Sequence, residues 1–261
     1  MNVLDVHNVG ISFGGLKAVS GFELQLRKGG LQGLIGPNGA GKTTLFNLLT
    51  GVYRPDQGSI RLNGRELVGL RPSQIAAAGL ARTFQNIRLF GDLSVLDNVR
   101  IACHARARTN TLQALLRTPA FLEEEAQITE KSLRLLGIFE LDHRAYESAR
   151  NLPYGAQRRL EIARALALEP QVLLLDEPAA GMNPQEKLAL RGLIRKVRED
   201  FGLTVLLIEH DMGLVMEICE QITVLDHGVV IAHGTARQIQ EDPRVIEAYL
   251  GAPAEPSASE A

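Results

Sequence analysis

The sequence predicts an α/β fold with a parallel sheet, and three observations indicate it. Short apolar runs alternate with helical stretches toward both ends of the chain. One apolar run is followed by a glycine-rich loop and then by a helix. The middle of the chain lacks strand signals and is rich in leucine, alanine, glutamate and arginine, which is typical of helices. Buried apolar strands alternating with helices are the pattern of a parallel sheet.

The composition is that of a globular chain with no strong charge bias. Its 261 residues are 45% hydrophobic, enough for a sizeable core in one large domain or two small ones. The 28 Lys and Arg residues nearly balance 30 Asp and Glu residues, for a formal charge of -2. This balance gives no support for a nucleic-acid binder across the whole chain, although a local basic patch stays open. We expect no nucleic-acid partner.

The two cysteines and the N-terminus indicate the compartment. Cys103 and Cys219 are far apart and belong to no paired motif, which favours packing roles in a reducing environment. The N-terminal M-N-V-L-D-V-H-N has no basic leader, and no stretch approaches the ~18 apolar residues of a membrane span. We therefore expect a cytosolic chain that reaches a membrane only through a partner.

Both ends of the chain carry antiparallel patterns. From Val3 to Leu26 short alternating runs, interrupted at Gly14-Gly15, predict strands joined by turns. The run I-T-V-L-D-H-G-V-V-I-A-H-G predicts a hairpin that turns at Asp226 to Gly228. The polar residues 252–261 predict a disordered tail. We thus expect a single domain over residues 1–251.

A helical subdomain is predicted at about residues 93–157, inserted into the α/β core. Long runs such as E-E-E-A-Q-I-T-E-K-S-L-R-L-L have helical composition, and Thr118-Pro119 breaks the segment. After it, V-L-L-L-D at Val172 to Asp176 and L-T-V-L-L-I at Leu203 to Ile208 predict buried strands. Between them a helix is predicted from Pro184 to about Asp200, with Asn183 as its N-cap.

The strongest motif is a phosphate-binding loop. G-P-N-G-A-G-K-T satisfies G-x-x-x-x-G-K-[ST] and lies between a buried strand, L-Q-G-L-I, and a helix. Glycines let the backbone N–H groups turn toward one centre, and the helix N-terminus favours an anion. We expect Lys42 to bind the outer phosphates and the Thr43 hydroxyl to bind Mg²⁺. The predicted nucleotide-binding residues of the loop are Gly36, Pro37, Asn38, Gly39, Ala40, Gly41, Lys42, Thr43 and Thr44.

Two acids end the strand in V-L-L-L-D-E-P, at the sheet edge where such folds bind ligands. Asp176 can hold Mg²⁺, and Glu177 can polarise a water in line with the γ-phosphate. Alone, the pair would be read as strand-end acids that cap the next turn. With the phosphate loop, it predicts a P-loop NTPase. No guanine-reading N-K-x-D motif is visible, which disfavours a GTPase. Nothing in the sequence identifies a phosphoryl acceptor, as a kinase would require.

The stretch L-P-Y-G-A-Q-R-R-L-E-I-A-R-A-L, just before V-L-L-L-D-E-P, resembles the signature of the ATP-binding cassette (ABC) family. The resemblance implies a RecA-like core, an N-terminal antiparallel β subdomain and an inserted α-helical subdomain. In that family the signature L-S-G-G-Q opens a helix and caps the γ-phosphate of ATP on a second subunit. Here Pro153 replaces the serine and Ala156 replaces the glutamine. The matched signature residues are Leu152, Pro153, Tyr154, Gly155 and Ala156.

Four further residues take their expected roles from the same resemblance. Phe13 in I-S-F-G-G matches the aromatic residue that stacks on adenine, although packing in a strand core is an equal alternative. Gln85 in R-T-F-Q-N matches the glutamine that reaches Mg²⁺ and the attacking water. Asn183 occupies the D-loop position, and His210 matches the switch histidine at the γ-phosphate. Catalysis is thus assigned to Glu177, His210 and Gln85, and metal binding to Thr43, Gln85 and Asp176.

Within the family, the chain resembles the LivG-type ATPases of bacterial branched-chain amino acid importers. The resemblance runs nearly end to end, including F-G-G-L-K-A-V, R-T-F-Q-N-I-R-L-F, D-E-P-A-A-G-M-N-P and D-P-R-V-I-E-A-Y-L-G. It implies ATP and Mg²⁺ as cofactors and a place on the cytoplasmic face of the bacterial inner membrane. The implied partners are two transmembrane permease subunits, a second ATPase that is usually a distinct chain, and indirectly a periplasmic substrate-binding protein.

Two alternatives stay open at this stage. ATPases that serve urea or amide import or lipopolysaccharide export are similar in sequence, because cargo touches other subunits. Non-transport ABC ATPases usually show tandem cassettes, coiled-coil insertions or basic surfaces, and none is evident here.

In the loop after Gln85, the apolar Ile87, Leu89 and Phe90 either contact the permease or belong to the subdomain core.

Overall fold

The computed structural model describes residues 1–250, so the tail predicted at residues 252–261 lies outside the described residues. The chain forms two compact units, Met1–Gly69 with Leu206–Ala261, and Leu70–Val205. The expected single domain over residues 1–251 and the limits 93–157 of its insert stay predictions. Along residues 1–250 no helix combines the length and the apolar character needed to cross a bilayer.

Residues 1–250 form ten strands and ten α-helices, with three strands first and a run of four α-helices in the middle. The strands are β1 (Asn2–Phe13), β2 (Leu16–Arg27), β3 (Leu31–Ile35), β4 (Gln57–Leu62), β5 (Arg65–Glu66), β6 (Leu80–Arg82), β7 (Val172–Asp176), β8 (Thr204–Ile208), β9 (Gln221–Asp226) and β10 (Val229–Gly234). The α-helices are α1 (Lys42–Leu49), α2 (Pro72–Ala78), α3 (Val95–His104), α4 (Thr111–Leu115), α5 (Pro119–Ile138), α6 (Tyr154–Ala167), α7 (Pro184–Phe201), α8 (Met212–Ile218), α9 (Ala236–Glu241) and α10 (Pro243–Leu250).

An antiparallel sheet in the first unit has the strand order β2-β1-β4-β5. Strands β1 and β2 are each 12 residues long, and apolar side chains on their inner face, such as Val6 and Phe22, are buried. Alternation of inward apolar and outward polar residues is what one buried face requires. The antiparallel strands predicted between Val3 and Leu26 are therefore confirmed.

The same unit contains the strand order β10-β9-β3. Strand β3 pairs in parallel with β9, and all five of its residues are buried. Strands β9 and β10 form the predicted hairpin, in which His227 and Gly228 have φ angles of 43° and 79°. Two consecutive left-handed residues match the right-handed twist of the flanking strands, which is why such a tight turn is favoured.

The second unit confirms the predicted helical run in the middle of the chain. Helix α3 packs on both α5 and α6, with Val99, Leu136 and Leu160 fully buried. The chain breaks between α4 and α5 as predicted, because Thr118 caps α5 and Pro119 occupies its first turn. Two short 3-10 helices, Asp142–Arg144 and Ala149–Asn151, lead into α6.

Helix α7 has the predicted start and extends one residue beyond the predicted end. Asn183 Oδ1 accepts a hydrogen bond from Glu186 N at 3.0 Å, and Glu186 Oε2 accepts one from Asn183 N at 2.9 Å. This reciprocal capping box satisfies two backbone donors that a helix start leaves unpaired. Strands β6 and β7 pair in parallel in the same unit, so that Arg82 and Leu174 lie side by side.

Candidate functional site

The phosphate loop in the first unit has a backbone that only glycine permits at two positions. A Cβ atom on Gly36 would lie 2.0 Å from Leu225 O, and one on Gly41 would lie 2.7 Å from Ala18 O. Gly41 also has a φ angle of 104°, in the left-handed region. Helix α1 begins directly after it without a side-chain cap, so backbone N–H groups of its first turn are left for an anion.

The Lys42 side chain closes over this loop. Its Nζ donates hydrogen bonds to Gly36 O at 2.6 Å and Pro37 O at 2.9 Å, and the residue is only 8% exposed. Thr43 is exposed and Thr44 is half-buried at the start of α1. An ammonium group, backbone donors and a hydroxyl oxygen are the groups that a magnesium polyphosphate needs, so the loop fits it.

Tyr249 of α10 is a neighbour of the loop that the sequence reading missed. Burial raises the pKa of its phenol, although a hydrogen bond with the Gly36 backbone favours the ionised form. The residue belongs to the C-terminal D-P-R-V-I-E-A-Y-L-G, which carried the family resemblance but gave no signal for a contact with the loop. The last helix of the first unit therefore touches the start of the phosphate loop.

Phe13 and His210 are both exposed in the first unit. Phe13 ends β1, is 44% exposed and meets the Tyr53 ring edge-on at 5.2 Å between centroids. Its ring is therefore free to stack rather than enclosed in a core. His210 follows β8, and its backbone N–H donates to the fully buried carboxylate of Glu209 at 3.2 Å. This contact orients the backbone that carries the histidine.

In the second unit, the structure brings together two residues that the sequence assigned from separate motifs. Gln85 Nε2 donates a hydrogen bond to Glu177 Oε2 at 3.0 Å. Glu177 lies just past the end of β7 and has a φ angle of 46°, which is uncommon for a residue with a side chain. Backbone strain that the surrounding structure maintains is often found at functional positions. The conformation of Glu177 agrees with the role expected of it.

Asp176, the predicted magnesium ligand, pairs with an arginine that the sequence reading did not single out. Arg82 Nη2 lies 2.6 Å from Asp176 Oδ2, and the two side chains are only 6% and 2% exposed. A carboxylate has lone pairs on both oxygens, so this pairing leaves acceptor capacity for a metal. The oxygen donor set fits Mg²⁺. Arg82 was missed because strand pairing, not a motif, places it beside Asp176.

The signature segment exposes two of its five residues. Pro153 is the N-cap of α6 and offers no side-chain cap, and both it and Tyr154 are exposed. Leu152, Gly155 and Ala156 are buried. A Cβ atom on Gly155 would lie 2.7 Å from Glu186 Oε1, so Glu186, the partner of Asn183 in the capping box of α7, packs directly over this glycine.

Residues 84–88 form the Gln85 segment. Arg158 of helix α6 binds the backbone of this segment. This guanidinium, 2% exposed, donates to Phe84 O at 2.6 Å and also to Gln85 O. It also donates to the Tyr154 hydroxyl at 3.0 Å. Because Tyr154 belongs to the signature segment, one buried arginine links that segment to the loop that carries Gln85.

Glu161, one turn further along α6, binds the same backbone segment. We call Arg158 and Glu161 together the Arg158 clamp. Its Oε1 accepts hydrogen bonds from Phe84 N and Arg88 N, each at 3.3 Å, and its Oε2 lies 3.3 Å from Arg158 Nη1. Burial raises the pKa of the Glu161 carboxyl, and these donors and Arg158 act against that rise. The sequence reading missed the pair because arginine and glutamate on a helix are normally read as a solvated face.

The Asn183 side chain is exposed and is engaged in the capping box of α7. Its role as N-cap, predicted from the sequence, is confirmed. Its role in a D-loop stays a prediction, as do the functions assigned to the other site residues.

The fold and the phosphate loop define a class of protein. The family model described as "ABC transporter" matches residues 19–180. The chain therefore belongs to the ABC transporter family and is an ATP-hydrolysing subunit of that kind. A second model, described as "Branched-chain amino acid ATP-binding cassette transporter", matches residues 229–255.

Individual relatives agree with this family. The chain is 48% identical to the high-affinity branched-chain amino acid transport ATP-binding protein BraF of Pseudomonas aeruginosa, over 95% of this chain and 98% of that one. It is 46% identical to the corresponding LivG protein of Escherichia coli K12, with the same coverage. Among solved structures, the ADP conformation of an ATP-binding cassette of an ABC transporter matches with a TM-score of 0.84 at 30% identity, over 97% of this chain and 100% of that one.

Proposed function

We propose that this chain powers a bacterial importer of branched-chain amino acids. The observation that carries the proposal is the match of residues 229–255 to the model of branched-chain amino acid cassettes, because that region is specific to the subfamily rather than to the phosphate loop. The 46% and 48% identities to LivG and BraF over 95% of the chain support the same cargo. Leucine, isoleucine and valine are the proposed substrates, delivered by a periplasmic binding protein.

The proposed assembly pairs this chain with a second ATPase subunit beneath two permease subunits, on the cytoplasmic face of the inner membrane. ATP binding would close the two ATPases head to tail and move the permease toward its outward-facing state, and hydrolysis would reset it. A ligand shifts such an equilibrium only by its differential affinity for the two states. ATP must therefore bind the closed pair more tightly than the open one.

In the proposed hydrolysis, each of several residues of this chain has its own role. The phosphate loop and Lys42 hold the β- and γ-phosphates, and Glu177 accepts the proton of the attacking water. Gln85, hydrogen-bonded to Glu177, orients that water, and His210 contacts the γ-phosphate. Magnesium, when bound by Thr43, Asp176 and Gln85, would neutralise charge on the phosphates.

Further contacts follow from the same proposal. Phe13 stacks on adenine, supported by its exposed ring. The segment Leu152 to Ala156 caps ATP that is held by the partner ATPase, and Asn183 in the D-loop faces that partner.

The cargo is tested by reconstitution. The chain is purified with its permease subunits, inserted into liposomes with ATP inside, and supplied with the cognate binding protein. We expect ATP-dependent uptake of labelled leucine that unlabelled isoleucine and valine compete away. Uptake of urea or an amide instead of leucine would refute the cargo and leave the ATPase assignment standing.

Phe90 is the proposed centre of the permease contact. It is 49% exposed, with the Arg164 guanidinium 5.6 Å from its ring centroid, so it is not buried in the subdomain core. The Phe90→Asp variant should fold and hydrolyse ATP in isolation, but its ATPase activity should no longer respond to the permease. The measurement is ATPase rate with and without permease, and a normal response in the variant would refute the contact.

Pro153→Ser should strengthen the cap on the partner's ATP. The serine restores a hydroxyl and a backbone N–H, and one charge-assisted hydrogen bond contributes about 1.5–3 kcal/mol. We therefore expect ATP-driven association of the ATPase pair to tighten by roughly tenfold or more, measured by analytical ultracentrifugation with ATP.

The matched control is Pro153→Ala, which restores the N–H without the hydroxyl. Serine at this position can also cap α6 within one subunit, so the melting temperature of each variant is measured without ATP. Association that is unchanged in the serine variant would contradict the expected role of the segment.

A further inference from the structure

A pocket of about 540 Å³ lies in the second unit, apart from the residues assigned to hydrolysis. It is bounded by the C-terminal end of α5, the first turn of α6 and one face of α7. Its apolar lining includes Phe139, Leu141, Leu190 and Leu193. Pockets of this size with mostly apolar walls are typical of small-molecule sites, and this lining also carries charged side chains. Three signature residues, Pro153, Gly155 and Ala156, belong to the lining, and the proposed hydrolysis uses none of its other residues.

A glycine in the middle of α7 borders the pocket. Gly192 lines it, and a Cβ atom added there would have no heavy atom within 4 Å. Glycine destabilises a helix interior relative to alanine. Here neither a left-handed backbone nor a close neighbour requires it, since Gly192 is absent from the residues with positive φ. Gly192 therefore differs from Gly36 and Gly41 of the phosphate loop, where an added Cβ atom would meet a backbone oxygen.

The charged side chains that line the pocket favour an anionic ligand. Arg159 pairs with Glu140 at 3.2 Å, and Glu186 is engaged in the capping box of α7. Arg144 has Glu147 at 3.8 Å. Lys196 is exposed on the lining, and within residues 1–250 no carboxylate lies in ion-pair distance of it. One cation is thus left over beside an apolar cavity.

We propose that this pocket binds a small amphipathic carboxylate, with its aliphatic or aromatic body against the leucines and its carboxylate on Lys196. Pro153 and Gly155 form part of the same lining, so the ligand contacts the start of α6. Any effect of the ligand on the ATP cap rests on the proposed function. Binding itself does not, and it is measured on the isolated full chain without nucleotide.

The test uses 1-anilinonaphthalene-8-sulfonate as a fluorescent probe and octanoate as its competitor. We expect saturable probe binding that octanoate displaces. Gly192→Leu, which fills the open space on α7, should weaken probe binding at least tenfold. The matched control is Gly137→Leu, because Gly137 is an exposed glycine of α5 with no heavy atom within 4 Å of an added Cβ and is not part of the lining. It should bind the probe as the parent does.

Two further variants keep the test decisive. Ala189→Leu narrows the same face of α7 and replaces Gly192→Leu if that variant melts early. Lys196→Met should weaken displacement by octanoate severalfold and leave displacement by 1-octanol unchanged. The proposal is overturned if the filled variants bind the probe like the parent, or if the lysine change affects acid and alcohol alike.

Discussion

Replacing Glu177 with glutamine is expected to slow ATP turnover by about 100- to 10,000-fold, the usual contribution of a general base, while ATP still binds. The amide cannot accept the proton of the attacking water. Its oxygen can still accept the Gln85 hydrogen bond, which is 3.0 Å long in the parent, so the local arrangement should persist. Phosphate release measures turnover, and a fluorescent ATP analogue measures binding.

The same variant should accumulate the closed pair of ATPases in the presence of ATP, because binding proceeds and reset does not. Glu123→Gln is the matched control, since Glu123 is an exposed acid of α5. It should hydrolyse ATP like the parent. Steady-state hydrolysis at the parent rate by Glu177→Gln would show that another group accepts the proton.

Elements with strong local signals were predicted closely. The limits of β3 and β7 are as predicted, because each is a short apolar run bounded by glycine or acid. Helix α7 starts at Pro184 as predicted, because Asn183 and Glu186 form a capping box that is visible in the sequence. The division of the chain into Met1–Gly69 with Leu206–Ala261 and Leu70–Val205 had no such signal, since it depends on which distant segments pack together.

The residues of the candidate site also fall into those that the sequence predicts and those that it does not. The phosphate loop was readable because its chemistry requires fixed residue types at fixed spacing. Arg82 was not, because it meets Asp176 only through the pairing of β6 with β7, 94 residues apart in sequence. The Arg158 clamp on the Gln85 segment spans 73 residues to Gln85 O. Contacts of this kind depend on tertiary packing, which a single sequence does not encode as a local pattern.

This clamp also changes how the signature segment is understood. Arg158 touches the Tyr154 hydroxyl at the surface and two backbone carbonyls of the Gln85 segment in the interior. A shift of the first turn of α6 would therefore move the donors that fix Gln85, which in turn is hydrogen-bonded to Glu177. Residues that are separate motifs in the sequence form one connected network within the second unit.

Lys42→Ala is expected to remove nucleotide binding rather than turnover alone. The ammonium group provides charge-assisted hydrogen bonds to phosphate, and each contributes about 1.5–3 kcal/mol. The dissociation constant of a fluorescent ATP analogue should therefore rise by about 10- to 100-fold or more. The control is Lys28→Ala, which changes an exposed lysine just after β2 and should bind the analogue like the parent.

A second variant separates loss of charge from loss of the loop's own contacts. Lys42 Nζ also donates to Gly36 O and Pro37 O, so alanine both removes the phosphate ligand and frees two loop carbonyls. Lys42→Met loses the same donors but keeps the buried alkyl stem. Equal loss of binding in both variants, with a higher melting temperature for methionine, assigns the effect to the ammonium group. Parent-like binding by the methionine variant would instead mean that Lys42 acts by packing.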